Sequence, residues 1–113
     1  MSILEELNIL LDNIPIPVET GVFSGVPPDE YCVLTPMTDE FAFHADNRPQ
    51  IDVNEIRISL FTKGNYIRRK RQIVEAVIDA EFTITDRRYI AHEDSTGFHH
   101  VCVDVAKYYP IGE

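Results

Sequence analysis

Residues 52–80, DVNEIRISLFTKGNYIRRKRQIVEAVIDA, change their hydrophobic period partway along. Up to Thr62 the side chains alternate: Ile56, Ile58 and Leu60 fall on one side, and Val53, Glu55, Arg57 and Ser59 on the other. That two-residue period predicts a strand with one buried face. Lys63 and Gly64 close the strand, and Asn65 is a good N-cap for a helix reaching about Ala80. Tyr66, Ile67, Ile73, Val74, Val77 and Ile78 give that helix an apolar stripe, while the RRKR run at 68–71 falls mostly on its wet face.

Upstream, Ser2 and Glu5 form a capping box ahead of Ile3, Leu4, Leu7, Leu10, Leu11 and Ile14, which predicts an amphipathic helix over residues 2–13 ended by Pro15 and Pro17. A Gly- and Pro-rich stretch follows, with a brief strand expected around Val22 and Phe23. YCVLT at 31–35 reads as a buried strand stopped by Pro36. DEFAFHAD at 39–46 alternates and reads as the next strand; with a turn in 47–50 and the strand from Asp52 it makes a long antiparallel hairpin. Downstream, Phe82–Glu93 and Phe98–Tyr109 read as a second hairpin around DSTG. The order predicts an α+β fold: a mainly antiparallel sheet, two helices packed on one face, and a long protruding hairpin. At 113 residues this is expected to be a single domain spanning 1–113.

Hydrophobic residues at 44% and charged residues at 26% suit a globular chain, and no apolar run approaches the ~18 residues that cross a bilayer. The amino terminus has neither a basic n-region nor a small-residue cleavage site, so it is not read as a signal peptide. With only Cys32 and Cys102, free thiols in a reducing cytoplasm are expected. The net charge of −9, from 19 acidic and 10 basic residues, argues against binding nucleic acid by phosphate neutralisation. The cations are clustered, at 68–71 and at Arg87 and Arg88, which suits docking against complementary protein surfaces.

HEDSTGFHHVCVD at 92–104 holds three of the four histidines, one cysteine and three carboxylates, the donor types of zinc or iron sites. Strand alternation sends His99 and His100 to opposite faces. A tight loop would pair His92 with His99, Ile90 with Val101, Tyr89 with Cys102 and Arg87 with Asp104. Ile84, Ile90, Val101, Val103 and Val105 would then share one face, with an Arg87–Asp104 ion pair on the other. His92 and His99 remain a two-ligand pair, but no C-x-x-C or H-E-x-x-H spacing completes a centre, so no metal or cofactor is expected. Ser24 and Ser95 lack the G-x-S-x-G frame, and there is no phosphate-binding glycine motif. Asp39, Glu40, Asp46, Asp52 and Glu55 read as a solvated or inter-subunit face, and RRKR as a protein-docking or solvated one. No catalytic residues are expected.

The chain from FAFHADNRPQIDVNEIRISLFTKGNYIRRKRQIVEAV to YIAHEDSTGFHHVCVDVAKYY resembles the tail-completion, or tail-terminator, proteins of long-tailed bacteriophages and prophages. The ADN turn, the LFTKGNY junction, the EDSTGFHH hairpin and VDVAKYY carry the likeness, which extends from the first helix to Tyr109. The resemblance implies a non-enzymatic virion protein, assembled in the host cytoplasm, that caps the tail tube as a six-membered ring. Its implied partners are further copies of itself, the tail tube protein and the head-side connector or stopper, with the tape-measure protein as a further candidate. DNA would pass through an acidic lumen without specific binding, and no membrane is involved. Within that reading Asp39, Asp46, Arg48, Asp52, Arg68, Arg69, Arg71, His92 and His99 are the expected interface residues. Competing readings are a head-completion or stopper protein of the neck, a small metal-dependent enzyme using His92 and His99, and a host-side adaptor with no place in the virion.

Overall fold

The computed structural model describes residues 2–20, 28–45 and 48–110, with the side chains of 19–20, 38–45, 48–53 and 109–110 outside that description. The elements run α1 (Ile3–Asn13), β1 (Val18–Thr20), β2 (Glu30–Ala45), β3 (Arg48–Thr62), α2 (Tyr66–Asp79), β4 (Thr83–His92) and β5 (His99–Pro110). The sheet order is β1-β2-β3-β5-β4, antiparallel except where β1 runs parallel to β2. The expected strand at Val22 and Phe23 lies outside the described residues. The short β1 just before it was not anticipated.

Both helices begin at the predicted caps. The Ser2 hydroxyl accepts from the Glu5 amide at 3.2 Å, and the Asn65 side-chain carbonyl accepts from the Arg68 amide at 3.1 Å. Each bond satisfies one of the amide donors that a helix start leaves without a partner. Leu7 and Leu11 of α1 and Ile73 and Val77 of α2 are buried against Cys32, Leu34, Ile56, Ile58, Leu60, Val101, Val103 and Val105. Those strand residues alternate along β2, β3 and β5, so both helices cover the same sheet face. The expected stripe of α2 is narrower than the sequence suggests. Ile67 and Ile78 are 53% and 55% exposed, because a helix lying on a sheet buries only the arc centred on Ile73 and Val77.

Pro36 does not stop β2. It pairs opposite Ile56, the register shifts between Pro36 and Thr38, and the strand continues to Ala45. A proline lacks only its own donor, and a bulge beside it absorbs the mismatch. The two expected strands are therefore one of 16 residues, hydrogen-bonded to a β3 of 15. At about 3.3 Å per residue this is a ribbon of roughly 50 Å, in keeping with the long dimension of 55 Å. Helices of 11 and 14 residues reach only about 16 and 21 Å. They cover the end of the ribbon that contains the core, and the hairpin runs on past them as an arm.

One side chain ties the carboxyl-terminal strand to both helices. Lys107 Nζ lies 2.7 Å from Glu6 Oε2 of α1, donates to the Ala80 carbonyl at the end of α2 at 3.0 Å, and sits 4.6 Å from the centre of the Phe82 ring. A cation at a helix carboxyl end meets carbonyls with no partner of their own.

Replacing Ile58 with alanine should lower stability by about 2–5 kcal/mol, because a fully buried position leaves a cavity. Ile67→Ala, on the exposed flank, should stay within about 0.5 kcal/mol. Urea denaturation of the two variants checks the pair, and equal effects would contradict the placement of the core.

Candidate functional site

The loop at 93–97 closes the β4–β5 hairpin. The Gly97 amide donates to the Glu93 carbonyl at 2.7 Å, and Gly97 adopts a φ of 82°, which favours glycine. His92 and His99 pair across the hairpin as expected, but the remaining expected pairs are displaced. Tyr89 stands opposite Val101, Arg88 opposite Cys102, Arg87 opposite Val103 and Asp86 opposite Asp104. The register shifts between Tyr89 and Ala91, and this bulge causes the displacement; a second shift follows between Ile84 and Asp86. Ile90, at the first bulge, is 44% exposed instead of joining the core valines.

Two groups result, on opposite faces. On the helix face, His99 Nδ1 is 3.0 Å from the Tyr89 hydroxyl, its ring lies 4.7 Å from Tyr66 and 4.6 Å from His92, and His92 Nδ1 is 2.9 Å from Asp94. On the other face, His100 stacks on Phe61 at 4.2 Å and Phe61 on Tyr31 at 4.9 Å, while the His100 Nε2 lies 3.6 Å from Cys102 Sγ. Among the described residues no group of three or more His, Cys, Asp or Glu is arranged to hold a metal ion. Burial lowers the His100 pKa below its ordinary value, opposed by the Glu93 carboxylate and reinforced by Arg57.

Asp104 is not paired with Arg87. Its carboxylate accepts two hydrogen bonds from Arg57 on the neighbouring β3, at 2.9 and 3.0 Å, in a bidentate geometry. The Asp104 hydrogen bonds raise the Arg57 pKa, and its charge adds to the effect. Arg88 in turn holds Asp86, whose pKa falls chiefly because of that hydrogen bond. Two ion pairs thus stand side by side across three strands, Arg57–Asp104 and Arg88–Asp86, with the two aspartates opposite each other. The sequence signal for Arg57 was its place on the non-core side of β3, but its partner lies 47 residues away and no local pattern names it.

The arginines of α2 divide. Arg69 is bound to Glu30 of β2 at 2.9 Å and to Gln72 at 2.9 Å, and Glu30 also accepts from the buried Thr62 hydroxyl at 3.0 Å. Arg68 and Arg71 are exposed and meet no acidic partner among the described residues. Asp39 stands opposite Asn54, Arg48 opposite Ala45 and Asp52 opposite Phe41 in the arm. The expected site residue Asp46 lies outside the described residues. Cys32 and Cys102 are unbonded and buried, and burial pushes the Cys32 thiol up to about 12, helped by Glu30 and opposed by Arg69.

No family model matches the sequence, and no curated protein matches it. Chains of solved structures are similar to it, among them the following two. One, known by a sequence identifier alone, has a TM-score of 0.55 at 14% identity, covering 99% of this chain and 99% of that chain. The other is a chain of the virion of a native gene transfer agent (GTA) particle, with a TM-score of 0.48 at 13% identity, covering 90% of this chain and 84% of that one. The first likeness establishes a shared fold. No helix among the described residues is long and apolar enough to cross a membrane.

The histidine placement has a measurable consequence. With its folded pKa below the ordinary ~6.5, His100 binds its proton more readily in the unfolded chain. Its contribution is therefore complete above about pH 6.5 and is lost as pH falls through the folded pKa. His100→Phe, which keeps a ring to stack on Phe61, should make stability fall less steeply than in the wild type between about pH 6.5 and 5. Parallel denaturation curves across that range would refute this. Thiol reagents should label Cys32 only after denaturation, and rapid labelling of the native protein would contradict its burial.

Proposed function

We propose that this protein is a structural virion component of a long-tailed phage or phage-like particle, one that caps the tail tube as a ring. It stops tube polymerisation and joins the tail to the head-side connector. The observation that carries the reading is the arm: a hairpin of 16- and 15-residue strands that outruns its own helices. β5 accompanies β3 only as far as Ile51, and beyond it the tip is a two-stranded ribbon, marginally stable alone in water, so it is best accounted for by a surface supplied from outside the subunit.

The pieces that resemble tail-terminator proteins also have defined places in the fold. LFTKGNY is the β3–α2 junction, where the Thr62 hydroxyl accepts from the Gly64 amide at 3.1 Å and Asn65 caps α2. EDSTGFHH turns the last hairpin, and VDVAKYY brings Lys107 to its clamp between the helices. The proposed role is non-enzymatic, with copies of this chain, the tube protein and the head-side connector as partners, and the virion as destination after assembly in the host cytoplasm. A net charge of −9 suits a bore through which DNA passes without adhering.

Electron micrographs of tails assembled without this protein test the proposal. Overlong tubes lacking heads are expected. Tubes of normal length would transfer the role to a stopper of the neck. Within the ring, Arg68 and Arg71 are the exposed α2 cations a neighbour can meet, whereas Arg69 is already engaged by Glu30. R68E/R71E should therefore fold normally and yield tails that fail to join heads, and infectious particles at the wild-type titre would contradict that role.

A further inference from the structure

We propose that the outer edge of β4 and the adjoining flank of α2 form the surface on which a second copy of this chain lays its β2–β3 arm. The inference rests on the ring reading above and specifies its contact.

β4 is the terminal strand of the sheet, so one of its edges carries no strand partner among the described residues. Tyr89 and Ile90 are 45% and 44% exposed, and Arg87 and Arg88 are exposed beside them. The adjacent flank of α2 continues the patch. Ile67, Arg71, Val74 and Ile78 follow at intervals of four, three and four residues, one helical stripe, and both isoleucines are more than half exposed. That this flank faces β4 is fixed by two contacts: Tyr66 meets Tyr89 at 5.1 Å on one side, and Arg69 meets Glu30 of β2 on the other. An open edge lined by isoleucines, a tyrosine and arginines suits an extended segment that is both acidic and apolar.

The arm is such a segment. β2 carries Asp39 and Glu40 with Phe41 and Phe43, and β3 carries Asp52 with Ile51 and Val53. It cannot reach this edge in its own subunit, because β5 lies between β3 and β4. Charge also selects the partner surface. Two β4 edges paired around Arg87 would set that cation against its own copy, whereas the acidic arm complements Arg87 and Arg71. Because arm and edge are different surfaces, the contact is head-to-tail and propagates from copy to copy, the kind that closes into a ring.

Disulfide trapping tests this, since Cys32 and Cys102 are buried and do not compete. One chain carries I78C on the α2 flank and a second carries T38C on the arm, and a control chain carries I9C on the exposed side of α1. The mixtures are oxidised with copper-phenanthroline, as concentrated purified protein and in isolated tails. I78C and T38C chains should link, and I9C and T38C chains should not. Adding R71E/R87E to the I78C chain should reduce the yield on the order of tenfold, and D39R/E40R on the T38C chain should restore it. Equal linking through I9C, no I78C–T38C linking in either preparation, or a yield indifferent to these charges would overturn the proposal. Tube length separates the two claims. Overlong tubes without this protein, together with failed trapping, would leave its role standing and remove this contact; trapping with normal tubes would do the reverse.

Discussion

The two-residue alternation of β3 is the constraint on which the rest depends. This strand is paired with β2 on one side and β5 on the other, so its pleat sets the facing of both neighbours. Ile56, Ile58 and Leu60 turn to the helices, while Arg57, Ser59 and Phe61 turn away. A slip of one residue would exchange the two sets and place a guanidinium under α2. Burial of the isoleucines is large enough to forbid this, at about 1.5–3 kcal/mol for each such side chain.

The same alternation organises the face without helices. Phe61 positions His100 and Tyr31 as a stack, and Arg57 holds Asp104, which is 6% exposed. A carboxylate so buried requires a charged or multiply donating partner, and the bidentate guanidinium supplies one. The histidine-rich stretch is thereby dispersed: His99 joins tyrosines on one face, and His100 joins Phe61 and Cys102 on the other. What looks in sequence like one chemical centre is two structural clusters separated by the thickness of a strand.

Much of this was legible in the sequence because it is local. Asn65 and Ser2 mark helix starts through bonds to residues three positions away, and the strand-to-helix change at Lys63 and Gly64 is visible in the period itself. The features that were not legible depend on distant partners or on single extra residues. The bulge after Pro36 lets β2 continue where a proline suggested an end, and the shift at 89–91 moves Arg87 away from Asp104. Glu30, which engages Arg69 and Thr62, had no local signal at all. Of the expected interface residues, Arg68, Arg71 and His92 are exposed, while Arg69 is committed within the chain.

Helices of about 16 and 21 Å on strands of about 50 Å divide the ribbon into a supported end and an arm. The central claim is that the arm acquires its support from assembly. Amide hydrogen exchange measures this most directly. In the isolated chain, Ile56–Leu60 and Val101–Val105 should exchange only through global unfolding, with the two-stranded tip at 42–45 and 48–50 much faster, and that tip should become protected in assembled tails. An arm as protected as the core in the isolated chain, or unchanged on assembly, would contradict the account.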